Sequence, residues 1–332
     1  MLTELPESST TNLTFGAEVW ESMVPPAFQF ILGVAENAIA LVVLIISRKR
    51  HQWKPFYRLV LGLALTDGGG ILLIGLPVMM RYFSNFKYDF PKPLCDYSSF
   101  IITFMATSSA MIVCAMSLDR FMAILYPFKY NVSGKERRAN LMLLFVWVLG
   151  TLISSLPMVG IGSNVIYYPG SWCFINFVGT STSDRVNSYI YSIFGLFVLS
   201  TTIFLNCFVI IKLCKNVNEN RKDLRRRQST IFNMILLLVF VTVFTLCWGP
   251  QIFTILGYAA LLNKENPSRD LLLARIAMTN SVIDPWIYIL LRKENLRSLH
   301  RRFGGFCCKV QSSTVDDRQN DANFYLEQSE ST

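Results

Sequence analysis

Apolar residues in this chain come in seven long blocks separated by short polar or charged stretches, at about 25–46, 56–81, 97–124, 140–160, 188–213, 230–258 and 271–291. Each is long enough to cross a bilayer core, which takes about 20 residues of helix. The third block is diluted by Thr103, Thr107, Ser108 and Ser109, yet it carries no charge between Asp96 and Asp119. In lipid every backbone N–H and C=O must be paired within its own segment, so the blocks predict helices. The expected fold class is an all-α membrane protein, a seven-transmembrane helix bundle. Beyond Leu291, the residues Leu296, Leu299, Phe303 and Phe306 recur at helical spacing among Arg297, Arg301 and Arg302. That pattern predicts an amphipathic eighth helix lying on the inner leaflet. The chain is thus expected to divide into an N-terminal segment 1–24, a membrane domain 25–291, the amphipathic helix 292–308 and a polar, disordered, phosphorylatable tail 309–332.

Charge sets the orientation. The first 24 residues hold Glu4, Glu7, Glu18 and Glu21 and no Lys or Arg. Lys and Arg collect in the alternate connections instead: Arg48 to Lys54, Lys129 to Arg138, Lys215 to Arg227, and Arg292 onward. The positive-inside rule then places the N-terminus outside the cell and the C-terminus in the cytosol, as expected of a multi-pass plasma-membrane protein. The first 20 residues are polar and acidic, so the first span itself is expected to direct insertion. The formal charge of +9 reads as topology and attraction to anionic lipid rather than nucleic-acid binding. With 52% hydrophobic residues and only 16% charged, a soluble domain is excluded. Seven is an odd number and no internal repeat is visible, which argues against the repeat-built transporters. His51 and His300 are isolated and both fall in cytoplasmic segments, so the sequence offers no enzymatic site and calls for no cofactor or metal.

Compartment also sorts the modification sites. Asn12-Leu13-Thr14 is a glycosylation sequon on the outer side, whereas Asn131-Val132-Ser133 is cytoplasmic and expected to be silent. Cys95 and Cys173 both fall on the outer face, where an oxidising environment favours a disulfide. Cys307 and Cys308 end the eighth helix, where palmitoylation would add a lipid anchor.

The most informative residue is Arg275, about one turn inside the outer end of the seventh block. A guanidinium at such depth costs on the order of 2.5–3.5 kcal/mol on insertion scales unless it is neutralised. The nearest acids on its own span are Asp270 and Asp284. Two readings remain open: the side chain snorkels outward to Asp270 or lipid phosphate, or a small acidic ligand supplies the counter-ion. Phe100, Phe104, Met111 and neighbouring aliphatic residues of the seventh block are expected to line a slot for the apolar remainder of such a ligand.

Further polar residues lie at mid-membrane depth: Asn37, Asp67, Asn280 and Asp284, affordable only if they face one another. Asp119-Arg120-Phe121 closes the third span, Cys247-Trp248-Gly249-Pro250 interrupts the sixth, and Asp284-Pro285-Trp286-Ile287-Tyr288 ends the seventh. Their order, depth and one-per-helix placement resemble the rhodopsin-like G-protein-coupled receptors, over about 25–306. The stretches Tyr168 to Ile175, Pro93 to Ser98, Phe56 to Asp67 and Arg275 to Lys293 resemble the prostanoid receptors in particular, with the prostaglandin E branch most similar.

That resemblance implies a set of roles. Arg275 would pair with a prostaglandin carboxylate, Tyr82 and Ser171 would donate hydrogen bonds to it, and Trp172 would form part of a lid. Asp119, Arg120, Trp248, Pro250, Asp284, Pro285 and Tyr288 would be activation switches, and Asn37, Asp67 and Asn280 would complete a sodium- and water-linked polar core. The ligand implied is a prostanoid, prostaglandin E2 first. The partners implied are a heterotrimeric G protein of the stimulatory class that raises cyclic AMP, together with arrestin, a receptor kinase and membrane lipids. Another acidic lipid, or a peptide carboxylate acting through a different G protein, is the alternative. Two departures stand out: Asp119 replaces the family's glutamate, and the Trp248-Gly249-Pro250 box is complete. The sixth span follows Arg225-Arg226-Arg227 without an acid. Asp119 is therefore expected to be the main hold on Arg120, with appreciable basal activity as the consequence. An opsin's span-seven lysine and an aminergic receptor's span-three acid are both missing.

Overall fold

The computed structural model of the chain describes residues 22–46, 55–130, 134–219 and 224–286. Seven long helices occur among them: α1 Val24–Ile46, α2 Pro55–Phe83, α3 Lys92–Leu125, α4 Lys135–Ser154, α5 Thr182–Glu219, α6 Leu224–Ala259 and α7 Pro267–Pro285. The first six are long and apolar enough to cross a membrane. Helix α7 is less apolar because Arg269, Asp270, Arg275, Asn280 and Asp284 all fall within its described 19 residues. The eighth helix, the tail, Asn12, Tyr288, Cys307 and Cys308 lie outside the described residues.

Packing is that of a membrane bundle. In α1 the buried positions are Gly33, Asn37, Ala40 and Leu44, one stripe at helical spacing. The opposite face exposes Phe28, Ile31, Ile39, Val42 and Ile45. Helix α3 sits centrally against α2, α4 and α5, while α5, α6, α7, α1 and α2 follow one another around it. Small residues let backbones approach: a Cβ at Gly62 would overlap Leu143 of α4, and one at Gly75 would overlap the Phe30 ring of α1.

Two differences from the sequence reading have local causes. The fourth block was expected to be helical to residue 160, but α4 ends at Ser154 and a 3-10 turn, Leu156–Val159, follows. Pro157 in that turn has no N–H to continue the ladder. The fold is also not purely helical: β1 Asn164–Tyr167 pairs antiparallel with β2 Trp172–Ile175, with Ile166 opposite Cys173. A hairpin this short draws its stability from its surroundings.

Here it is pinned on several sides. The Cys95–Cys173 disulfide ties β2 to the start of α3, with Cα atoms 5.3 Å apart. Asn164 accepts from the Ser99 hydroxyl at 2.7 Å and donates to Asp96 at 2.9 Å, and Asp96 in turn pairs with Lys92. On the other flank, buried Asp184 accepts hydrogen bonds from Ser163, Asn176 and Ser181. The Tyr167 ring stacks between Trp172 and Phe177, and its hydroxyl donates to the Ile175 carbonyl at 2.9 Å. Burial pushes that hydroxyl's pKa upward, so it stays a donor. The hairpin is thereby fixed over the bundle end that carries the disulfide.

Candidate ligand cavity and buried polar core

Beneath the hairpin lies a cavity of about 1160 Å³, counting its open mouth, whose walls come from α1, α2, α3, α5, α6, α7 and the hairpin. Arg275, Tyr82, Ser171 and Trp172 all line it. Arg275 is only 8% exposed. Its Nη2 lies 3.4 Å from the Tyr82 hydroxyl, which also receives the Ser171 hydroxyl at 3.3 Å. Nη1 is buried without a hydrogen-bond acceptor. Asp270 is engaged elsewhere: it accepts from the Tyr258 hydroxyl at 2.8 Å and pairs with Arg269 at 3.5 Å. Among the described residues, then, no carboxylate neutralises Arg275, and the side chain is turned inward rather than toward Asp270.

Helix α1 supplies a support that sequence reasoning missed. Gln29 donates to the Arg275 carbonyl at 2.8 Å and to the Thr279 hydroxyl at 3.0 Å, locking α1 against α7 at the cavity wall. Trp172 lines the mouth, its indole N–H given to the Tyr168 carbonyl at 2.9 Å.

The slot for an apolar ligand has the expected aliphatics of the seventh span, Leu271, Ala274, Ala277 and Val282, but α3 lines it differently from expectation. Phe100, Phe104 and Met111 do not face the cavity; Ile102, Met105, Ala106 and Ser109 do. Phe100 and Phe104 stack on each other, and Phe104 packs toward Gly150 of α4. Residues 102, 105, 106 and 109 form one helical stripe, and the phenylalanines lie on the neighbouring one. Aromatic bulk drew attention to the wrong face.

At the cavity floor, Trp248 is buried and stacked on Phe244 with centroids 5.7 Å apart. Pro250 lies inside α6 two residues on. The polar residues named from sequence gather beyond this floor. Asp67 accepts from Ser109 at 2.5 Å and Ser281 at 2.9 Å. Asn37 donates to the carbonyls of Gly33 and Ser281, and Asn280 donates to Asp284 at 2.9 Å. From sequence Ser109 only dilutes an apolar run, and Ser281 draws no notice. Their role follows only from which side chains α3 and α7 turn toward α2. Pro285 ends α7 and is buried.

The opposite bundle end carries Asp119 and Arg120. The Tyr130 hydroxyl donates to Asp119 at 2.9 Å, from the helical turn Pro127–Tyr130. Burial, and next the Asp119 carboxylate, push the Tyr130 hydroxyl up to about 12. Arg120 lies over the Phe56 ring of α2, 3.9 Å from its centroid, a contact the sequence reading, which looked to Asp119, did not foresee. Arg58 bridges α2 to Glu136 of α4 at 2.5 Å. Phe128, 93% exposed, projects from the same turn as Tyr130.

Comparison with known proteins decides the family. A model of the 7 transmembrane receptor (rhodopsin family) matches residues 37–288. The human prostaglandin E2 receptor EP4 subtype is 33% identical over 331 residues, covering 84% of this chain and 68% of its own. This chain is a prostanoid-type receptor of the rhodopsin family. The rat EP4 subtype is 32% identical, covering 88% of the receptor and 69% of its own chain. The human thromboxane A2 receptor is 29% identical, covering 82% and 84% respectively. Squid rhodopsin shares the fold, with a TM-score of 0.73 at 21% identity over 88% of the receptor and 87% of that structure. The disulfide and the multi-pass bundle are features of this receptor's own structure, and the protein is a receptor, not an enzyme.

Proposed function

We propose that this receptor binds a prostanoid, prostaglandin E2 foremost, and answers by activating a stimulatory G protein that raises cyclic AMP. One observation carries the reading: a buried guanidinium in the cavity wall has one amino group on Tyr82 and the other without an acceptor. A ligand carboxylate satisfies both charge and hydrogen bonding there, in a short, orientation-specific pair. Tyr82 and Ser171 then add neutral donors, and Trp172 shields the pair from water. Likeness to receptors named for prostaglandin E2 supports the ligand assignment.

In this reading the N-terminus is extracellular and glycosylated at Asn12. The eighth helix, 292–308, rides the inner leaflet, with Cys307 and Cys308 palmitoylated. The tail 309–332 takes a receptor kinase's phosphates and then arrestin. Carboxylate capture anchors one end of the ligand, and its ring and second chain press on the floor at Trp248. A ligand shifts the bundle only by binding the active packing more tightly than the inactive one. Pro250 removes a backbone hydrogen bond from α6 and so supplies the hinge. Rearrangement around Asp67, Asp284, Pro285 and Tyr288 then frees Arg120 from Asp119 and Phe56 and opens a cleft for the G protein. The exposed ring of Phe128, on the turn whose Tyr130 is contacted by Arg138, is the natural apolar anchor for that partner.

The test is a panel of prostaglandins E2, D2 and F2α, a prostacyclin analogue and a thromboxane mimetic on the expressed receptor, reading cyclic AMP and calcium. Prostaglandin E2 is expected to be most potent, through cyclic AMP. Failure of every prostanoid, or a calcium response alone, contradicts the reading.

A further inference from the structure

Tyr82 sits on α2 and Ser171 on the hairpin turn, and a second arginine, Arg81, joins the two segments that carry them. Helix α2 ends at Phe83, and the chain then folds back through Asn85 and Phe86, both in the left-handed region with φ of 49° and 62°. Residues other than glycine hold that conformation only where their surroundings fix it. Here the Phe86 N–H returns to the Arg81 carbonyl at 2.9 Å, and the Tyr88 N–H to the Ser84 hydroxyl at 2.8 Å. The fold-back sets the Phe86 ring edge-on against the Tyr82 ring, with centroids 5.2 Å apart, and the Arg81 guanidinium lies 5.7 Å from the same ring. It also brings the Tyr88 carbonyl to Nη1 of Arg81. From the other side Nε of Arg81 donates to the Gly170 carbonyl at 3.0 Å, one residue before Ser171.

We propose that Arg81 is a positioning residue for carboxylate recognition: it clamps the hairpin turn to the end of α2 and so keeps the Tyr82 and Ser171 hydroxyls together beside Arg275. The inference rests on the carboxylate reading of Arg275 and deepens it. Arg81 itself is not among the residues lining the cavity, and among the described residues its hydrogen bonds go to carbonyls, not to a carboxylate. Its two acceptors belong to different segments, Tyr88 after α2 and Gly170 in the hairpin. A guanidinium suits that task because its donors diverge from one rigid plane, whereas an ammonium is a compact point charge. Through Gly170 it fixes where Ser171 stands, and through the packed Phe86 ring it fixes the edge of Tyr82. The 3.3 Å contact between those two hydroxyls is the product of both restraints. Without the clamp Arg275 keeps its charge, but its two neutral co-donors lose their common register.

The test is competition binding of prostaglandin E2 and its uncharged methyl ester on the full-length receptor in membranes. Wild type is compared with Arg81→Lys, Arg81→Met, Arg275→Ala and the double variant Tyr82→Phe/Ser171→Ala, the last also combined with Arg81→Lys. The readout is the acid-to-ester affinity ratio on each variant, which the amount of folded receptor does not move. Both Arg81 variants should lower that ratio about fivefold or more, the scale of one lost hydrogen bond. In the Tyr82→Phe/Ser171→Ala background Arg81→Lys should lower it no further. A ratio kept by Arg81→Lys but lowered by Arg81→Met assigns the effect to charge alone and overturns the inference. So does equal weakening of acid and ester, or loss of both, in the two Arg81 variants, which marks Arg81 as a folding residue. A further drop in the double background overturns it as well, since Arg81 then acts by another route. If Arg275→Ala lowers the ratio while both Arg81 variants leave it unmoved, only the clamp fails. If wild type binds acid and ester alike, or Arg275→Ala leaves the ratio unaltered, the carboxylate reading fails and the inference with it.

Discussion

The Tyr82 hydroxyl stands 3.4 Å from Nη2 of Arg275, so the tops of α2 and α7 meet through a single phenol. Ser171 of the hairpin turn reaches the same oxygen at 3.3 Å. The phenol thus couples the lid to the charged residue beneath it, and a ligand carboxylate arriving at Arg275 meets a prearranged donor.

Tyr82→Phe removes that link with little change in volume. Acidic ligands should lose about 1 kcal/mol, roughly fivefold in affinity, the net worth of one hydrogen bond. Competition binding checks this, with surface expression as the control for folding. An unaltered affinity would assign Tyr82 to packing alone.

Tyr130→Phe should raise ligand-free signalling. It takes from Asp119 a hydrogen bond of 2.9 Å at the end of α3 where Arg120 is held. The Tyr130 hydroxyl, pushed up from 10.0 to about 12, favours the neutral form, so its contribution is complete below pH 10 and fades only as pH rises toward 12. The effect of the substitution should therefore be the same anywhere between pH 6 and pH 8. Basal cyclic AMP no higher than in the parent receptor would refute it.

Cys95→Ala removes the bond that closes a span of 78 residues and holds β2 against α3. Loss of such a link typically costs about 2–5 kcal/mol. A lower thermal midpoint in detergent and loss of ligand binding are expected together, because the hairpin forms the cavity roof. Retained binding would show that the Asn164 and Asp184 hydrogen bonds suffice.

Gly75→Ala should destabilise the receptor by about 1–3 kcal/mol, the usual range for overpacking. The new methyl would overlap the Phe30 ring, and both residues line the cavity, so ligand affinity should fall as well. Gly69→Ala on the same helix is the control, since nothing lies within 4 Å of its Cβ position. Equal thermal midpoints for the two variants would contradict the packing described.

Much of this architecture is legible in the sequence because lipid allows few options. Apolar length gives the seven helices, and the cost of burying charge singles out Arg275, Asp67 and Asp284. The lost detail concerns the face each residue takes. Phe104 and Met105 are neighbours in sequence, yet one packs on α4 and the other lines the cavity. Ser109 and Ser281 matter only because three helices converge on Asp67. The hairpin was invisible as secondary structure, since its four-residue strands are held by contacts far along the chain. Pro157, by contrast, stands in plain view, yet the fourth block reads through it to residue 160 on apolar length alone.

The central claim is that the partner of Arg275 is a ligand carboxylate, and affinity of prostaglandin E2 and its methyl ester for wild type and Arg275→Ala tests it most directly. Truncating one side of a buried charge pair costs on the order of 2–5 kcal/mol, about 30-fold or more. The acid should lose that much in Arg275→Ala while the uncharged ester, already weak on wild type, changes little. Equal affinity of the acid for both receptors would contradict the account.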